Sequence, residues 1–270
     1  MMEGRAEMKY ALPLARRAEV LEAAAGHITP DTHAANLAEL LPGLRGPQGE
    51  DPFGYRVSSI YLDTPTLHGY NERLARQRVR NRVRVRSYGF SGQPAPVYLE
   101  AKRKLADRVI KHRAKLGDAR AWEGADSERP WVELCAGAPP NSVTARWLQA
   151  VEGPGMVPVC RVSYVRETWC EGNSRLTMDH HVGAAPEPDG RDLRGPCPVP
   201  LIPPDWFVLE LKFDTTEPPW MLRLVRSLRL AAEPVSKFAL GVVLTLRPDK
   251  AHERRVLTPP SLLRVPDAAR

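Results

Sequence analysis

From residue 78 the chain reads Arg-Val-Arg-Asn-Arg-Val-Arg-Val-Arg, and no other stretch limits the possible folds as much. Side chains alternate across a strand with a period of two. Arg78, Arg80, Arg82, Arg84 and Arg86 therefore share one face, opposite Val79, Val83 and Val85. Five guanidiniums over roughly 27 Å of strand, at about 3.4 Å per residue, repel one another. They cannot pack against an apolar core without anions to neutralise them. The valines are the core side, and the arginines look toward solvent or a polar cavity. Alone, the stretch fits a solvated edge strand that uses charge to prevent aggregation.

The pattern recurs. Tyr98, Glu100, Lys102 and Lys104 oppose Val97, Leu99 and Ala101, and Glu210 and Lys212 oppose Phe207, Leu209, Leu211 and Phe213. Arg175, Thr177 and Asp179 oppose Leu176 and Met178; Arg166 shares a face with Tyr164, and Glu7 with Lys9. Several strands thus pair an apolar face with one holding both bases and carboxylates. A sandwich would leave a mixed polar exterior. A closed antiparallel barrel, its apolar side covered by helices, turns all these faces inward around one ligand.

Composition limits that ligand. The 39 Lys+Arg against 32 Asp+Glu give a net charge of +7, and 31 of the bases are arginine, so an anionic partner is expected. Nucleic acid is not: its binding favours aromatics interleaved with bases, and the arginine face has none before Tyr88. No GxxxxGK[ST] loop or kinase signature is present. No apolar run is long enough to span a membrane, and the first ten residues hold no apolar stretch of signal-peptide length. Cys135, Cys160, Cys170 and Cys197 form no CxxC pair, which suits a reduced, cytoplasmic protein. His180-His181 reads as a turn rather than a metal ligand pair.

Along the chain, helices are expected over 14–25, 31–41, a short segment capped by Asp63 or Thr64, 141–151, and a stretch after Pro218-Pro219 with Trp220, Leu224 and Leu228 as its core stripe. Residues 117–140 read as irregular, the proline-dense 183–204 as a long loop, and 248–270 as a charged surface tail after one domain of 1–247.

Tyr55–Thr64, Arg78–Gly89, Val97–Lys104, Asp107-Arg-Val109 with Lys111, Ser163–Arg166, Arg175–Asp179, Leu209–Phe213 and Ser236-Lys-Phe238 resemble, in order, the VTC (vacuolar transporter chaperone) polyphosphate polymerase domain. That family belongs to the triphosphate tunnel metalloenzymes. The resemblance implies an α+β fold, a closed antiparallel eight-stranded β-barrel tunnel with a charged lumen, flanked by helices. It makes Lys9 a phosphate-binding lysine and lines the tunnel with Arg82, Arg84, Lys102 and Arg166, all assigned with Glu210 to the catalytic set. Arg80, Arg86, Lys104, Lys111, Arg175, Lys212 and Lys237 are further phosphate contacts. Glu210 is expected to hold Mn²⁺ or Mg²⁺, with Glu100 either assisting or forming a structural ion pair. The superfamily opens with two glutamates and a lysine at alternate positions; here Arg5, Glu7 and Lys9 stand in that register, which thins metal ligation.

The implied activity is transfer of the ATP γ-phosphate to a growing polyphosphate chain. Hydrolysis of tripolyphosphate or a nucleoside triphosphate needs the same cage, and a non-catalytic polyphosphate receptor would bind without turnover. Phosphoryl transfer asks mainly for alignment and charge neutralisation, so no serine or cysteine nucleophile is required.

Overall fold

The computed structural model describes residues 6–89, 95–105, 108–125, 129–214 and 216–264, the side chains of 104, 105, 108 and 109 excepted. Eight long strands carry the alternation: β1 (Ala6–Pro13), β2 (Phe53–Asp63), β3 (Val79–Gly89), β4 (Pro96–Leu105), β5 (Arg108–Asp118), β6 (Val157–Glu171), β7 (Ser174–Pro186) and β8 (Trp206–Phe213). They form one antiparallel sheet in the order β1-β8-β7-β6-β2-β3-β4-β5, which three two-residue strands extend.

The sheet is not a closed barrel. Among the described residues its ladder ends at β1 and at β5, which do not pair. The free edge of β1 has another partner: the Glu233 N–H donates to the Lys9 carbonyl at 2.8 Å. The sheet is nevertheless strongly curled, because Lys102 on β4 reaches Glu7 on β1 at 3.2 Å. Side chains bridge the gap that the backbone leaves.

Helices cover the convex face in two groups. Residues from α1 (Arg17–Ala24) and α6 (Pro219–Ser227) bury Tyr10, Leu176, Met178, Phe207 and Leu209. Residues from α3 (Ala119–Glu123), α4 (Pro130–Cys135) and α5 (Val143–Glu152) bury Ile60, Val83, Val85, Val97 and Leu99. Part of the concave face is apolar as well. There α7 (Lys237–Thr245) packs its Phe238, Ala239, Leu240, Val242 and Val243 with Val57, Cys160, Val162 and Ala184. A helix apolar on all sides must be enclosed, and this one fills one end of the concavity. It lies so close that a Cβ on Gly241 would stand 3.2 Å from both Cys160 Sγ and Val162 Cγ2. Two short helices, α2 (His68–Leu74) and α8 (Ala251–Leu257), pack against it.

Several expectations change. Residues 31–41 form turns around a two-residue strand, Ala35–Asn36, not a helix: Asp31 accepts from the His33 N–H and Asn36 from the Ala38 N–H, local bonds that compete with helical ones. Residues 117–140 contain α3 and α4, capped by Asp118 and begun by Pro130. The helix expected over 141–151 is α5, capped by Ser142, whose hydroxyl accepts from the Ala145 N–H. The N-cap residue of α2 is Leu67, in a left-handed conformation, rather than Asp63 or Thr64; those two lie before the helix, and their side chains accept from the Gly69, Tyr70 and His68 N–H groups of its first turn. His180 and His181 lie within β7, where His180 is buried against Glu167 at 2.7 Å. Beyond Arg247, Leu257 and Leu262 are buried with α7, so that segment is not simply a surface tail.

Candidate functional site

The charged faces inferred from alternation converge on the part of the concavity that α7 leaves free. Glu210 on β8 is its hub. One carboxylate oxygen lies 3.1 Å from Lys9 Nζ and 3.0 Å from Lys237 Nζ; the other lies 2.5 Å from Lys212 Nζ and 3.2 Å from Arg166 Nη2. Asp179 on β7 accepts both prongs of Arg166 at 2.6 and 2.7 Å and pairs with Lys237 at 2.6 Å. Lys9 also meets Glu7 at 3.1 Å. Strand β1 thus ties to β8 through charge as well as through its ladder.

A second hub is Glu100 on β4. It accepts from Arg84 Nε at 2.7 Å and lies within 3.4 Å of Lys111 and Arg113, with Arg86 at 3.9 Å. Arg84 also donates to the Tyr61 hydroxyl at 3.1 Å, and Arg86 to Ser59 at 2.9 Å. Arg82 leans toward Ser236 at 3.5 Å and over the Phe238 ring. The two hubs meet through Lys102 and Glu7.

Of the expected residues, Lys9, Arg82, Arg84, Arg86, Lys102, Lys111, Arg166, Lys212, Lys237, Glu100 and Glu210 are brought together. Arg80 lies farther along β3, half-exposed beside Arg73. Arg175 is pulled aside to Asp31 at 3.4 Å. The Lys104 side chain and Arg5 lie outside the described residues. Asp179 and Glu7, placed on the charged faces by alternation but given no role, join the network, and Arg113, Tyr61 and Tyr88 join it as well. Alternation in 108–118, with Lys111 and Arg113 opposite Ile110, His112 and Ala114, would have exposed β5 and Arg113. Two of the aromatic contacts cross between strands, with Arg113 3.7 Å from the Tyr98 ring centroid and Arg84 over Tyr61, while Arg166 lies over Tyr164 of its own strand.

In this network ten cationic side chains face four carboxylates, Glu7, Glu100, Asp179 and Glu210, a formal excess of six positive charges. Burial opposes the charge on Glu210, but Lys212, Lys237, Lys9 and Arg166 outweigh it and hold the carboxyl well below its ordinary range. Burial pulls Lys102, Lys111 and Lys212 down from the ordinary lysine value despite their carboxylate neighbours. Burial would raise Tyr88, yet Arg86, Arg113 and Arg84 bring it down to about 8. The Tyr88 phenolate would repel an anion held on this face. Tripolyphosphate affinity should therefore fall as pH rises through about 8. Calorimetry across pH 6.5 to 9 on wild type and Tyr88→Phe tests this; the variant should lose the part of the fall centred near about pH 8.

The carboxylates do not fit a resident metal ion. Each has cations against it, and among the described residues no three His, Cys, Asp or Glu side chains group as a metal cluster. Glu210 and Glu100, expected as ligands for Mn²⁺ or Mg²⁺, both have basic side chains against them.

A curled antiparallel sheet with this excess of positive charge on its concave face defines a polyanion-binding domain. A profile of the VTC domain matches residues 4–246, and the chain belongs to the VTC domain family. No curated protein matches. Among solved structures, a candidate adenylate cyclase from Vibrio parahaemolyticus is 13% identical, the match covering 89% of this chain and 98% of that one, with a TM-score of 0.43. A candidate adenylate cyclase from Bacillus halodurans is 11% identical, covering 87% and 96%, with a TM-score of 0.42. A protein from Pyrococcus horikoshii is 12% identical, covering 87% and 99%, with a TM-score of 0.39. Likeness this loose says nothing of chemistry. No helix among the described residues is long and apolar enough to cross a membrane.

Proposed function

We propose that the concave face binds ATP and polyphosphate and transfers the ATP γ-phosphate to the end of a growing polyphosphate chain. The observation that carries this is the convergence of ten bases from β1, β3, β4, β5, β6, β8 and α7 on one face of a VTC-family chain. A polyphosphate carries its charge at every phosphate, and a row of fixed cations matches it unit by unit. Arginine forks suit paired phosphate oxygens, and lysines supply compact charge between them.

The chemistry needs no protein nucleophile. A terminal phosphate oxygen of the acceptor attacks the γ-phosphorus, the bond from that phosphorus to the β–γ bridging oxygen breaks, and ADP leaves. Arg82, Arg84, Arg86 and Lys102 would hold two anions that otherwise repel. Lys9, Arg166, Lys212 and Lys237 would neutralise charge spreading over the transferred group. Incoming phosphates would compete with Glu210 and Glu100 for these cations, so the carboxylates keep the basic side chains ordered until the substrate arrives.

Purified protein incubated with ATP and Mn²⁺ or Mg²⁺, then separately with tripolyphosphate, tests the reading. Polymer with ADP supports it. Orthophosphate release alone would make the domain a hydrolase, and tight binding without turnover a receptor.

A further inference from the structure

The opposite face of the sheet carries a cavity that the concave site does not use. Ser58 on β2 stands level with Ser87 on β3 and with Ser163 on β6, so three hydroxyls form a row across adjacent strands. All three serines are buried, at 4%, 3% and 8% exposure. With Arg56 and Arg194 they line a cavity of about 200 Å³. By alternation these serines point away from Arg86 and Tyr88, which belong to the concave side.

Two donors here lack partners among the described residues. The Ser58 hydroxyl and the Arg56 Nε are buried without a hydrogen bond, and a buried polar group left unpaired is costly. No carboxylate among the described residues pairs with Arg56 either, whereas Arg194 at the rim is held by Glu123 at 2.5 Å. The proline-dense segment reaches the cavity through Arg194 and is fastened beside it. Arg161 bonds Glu187 and the Asp192 carbonyl, and donates to the Pro196 carbonyl at 2.9 Å, while Trp122 donates to the Gly190 carbonyl at 3.0 Å. This loop is thus fastened to the convex face, away from the concave site.

We propose that this cavity is a second anion site, taking a phosphate group through Arg56 and the Ser58 hydroxyl. A tetrahedral oxyanion accepts from a guanidinium fork and from a hydroxyl at once, satisfying both orphan donors. The space holds inorganic phosphate or the phosphate end of a small phosphomonoester. A ligand here would bind independently of the concave face.

Calorimetry with inorganic phosphate and with glycerol phosphate, at fixed ionic strength, tests the site on the full chain. Wild type should bind at least one, and the tighter of the two identifies the source of the phosphate. Arg56→Gln should weaken that binding about tenfold or more; Ser58→Val, which also fills the space, should abolish it. Arg84→Ala on the concave face should leave it intact. No binding to wild type, unchanged binding in Arg56→Gln, or equal loss in Arg84→Ala would overturn the proposal. Arg56 is only half-buried, so its variant tests the site even where Ser58→Val fails to fold. Tripolyphosphate binding, measured in parallel, reports the concave face separately.

Discussion

Glu210→Ala is expected to cost the chain about 3–5 kcal/mol of folding stability, the usual effect of removing one partner from a buried ion pair. The carboxylate is almost fully buried and is shared by Lys9, Lys237, Lys212 and Arg166. Without it these four cations face one another with only Asp179 and Glu7 between them. Urea unfolding at pH 7 measures the loss. Acid should mimic it in the wild type. A carboxyl held below its ordinary 4.5 in the folded state contributes stability above that pH and loses it as pH falls toward the depressed value. Wild type should therefore weaken below about pH 4.5, and Glu210→Gln should weaken less steeply. The same Gln variant should bind tripolyphosphate at least as tightly as wild type, since it frees four cations.

Arg84→Ala is expected to lower tripolyphosphate affinity about 10- to 100-fold, the range for hydrogen bonds to charged groups. Arg84 lies centrally on β3, with Glu100 and Tyr61 fixing its guanidinium and Arg86 two residues away on the same face. Arg84→Lys should recover part of the affinity, because a lysine restores charge but not the fork. Arg146→Ala removes the same charge from an exposed position on α5 and should change affinity less than about twofold, since salt screens distant surface charge. A comparable loss in both variants would mean that net charge, not this face, governs binding. Titration calorimetry at fixed salt separates the two.

The alternation of arginine and valine made the site legible because a strand has only two faces. It put Arg82, Arg84 and Arg86 with Glu100, Lys102, Glu210 and Lys212 before any fold was known, and they do share one surface. Closure of the barrel was not legible. It depends on what sits at the edge of β1, and Glu233, more than two hundred residues away in sequence, occupies it. The place of α7 was partly legible: Phe238 to Val243 is apolar on every side, a pattern that demands enclosure, although only Ser236-Lys-Phe238 stood out. The turns of 31–41 were missed because apolar spacing there is real. Leu37 and Leu41 are buried against Val165, but side-chain bonds from Asp31 and Asn36 fix turns instead of a helix. Asp179 stood two residues from Thr177 on the charged face; only the approach of β6 to β7 shows it clamped to Arg166.

The claim that the concave face is the polyphosphate site is tested most directly by titrating tripolyphosphate into wild type and into the triple variant Arg84→Ala/Lys102→Ala/Lys212→Ala. Wild type should show saturable binding that weakens with added salt, and the triple variant should show none while still unfolding cooperatively. Equal binding by the two proteins, or no binding by a folded wild type, would contradict the account.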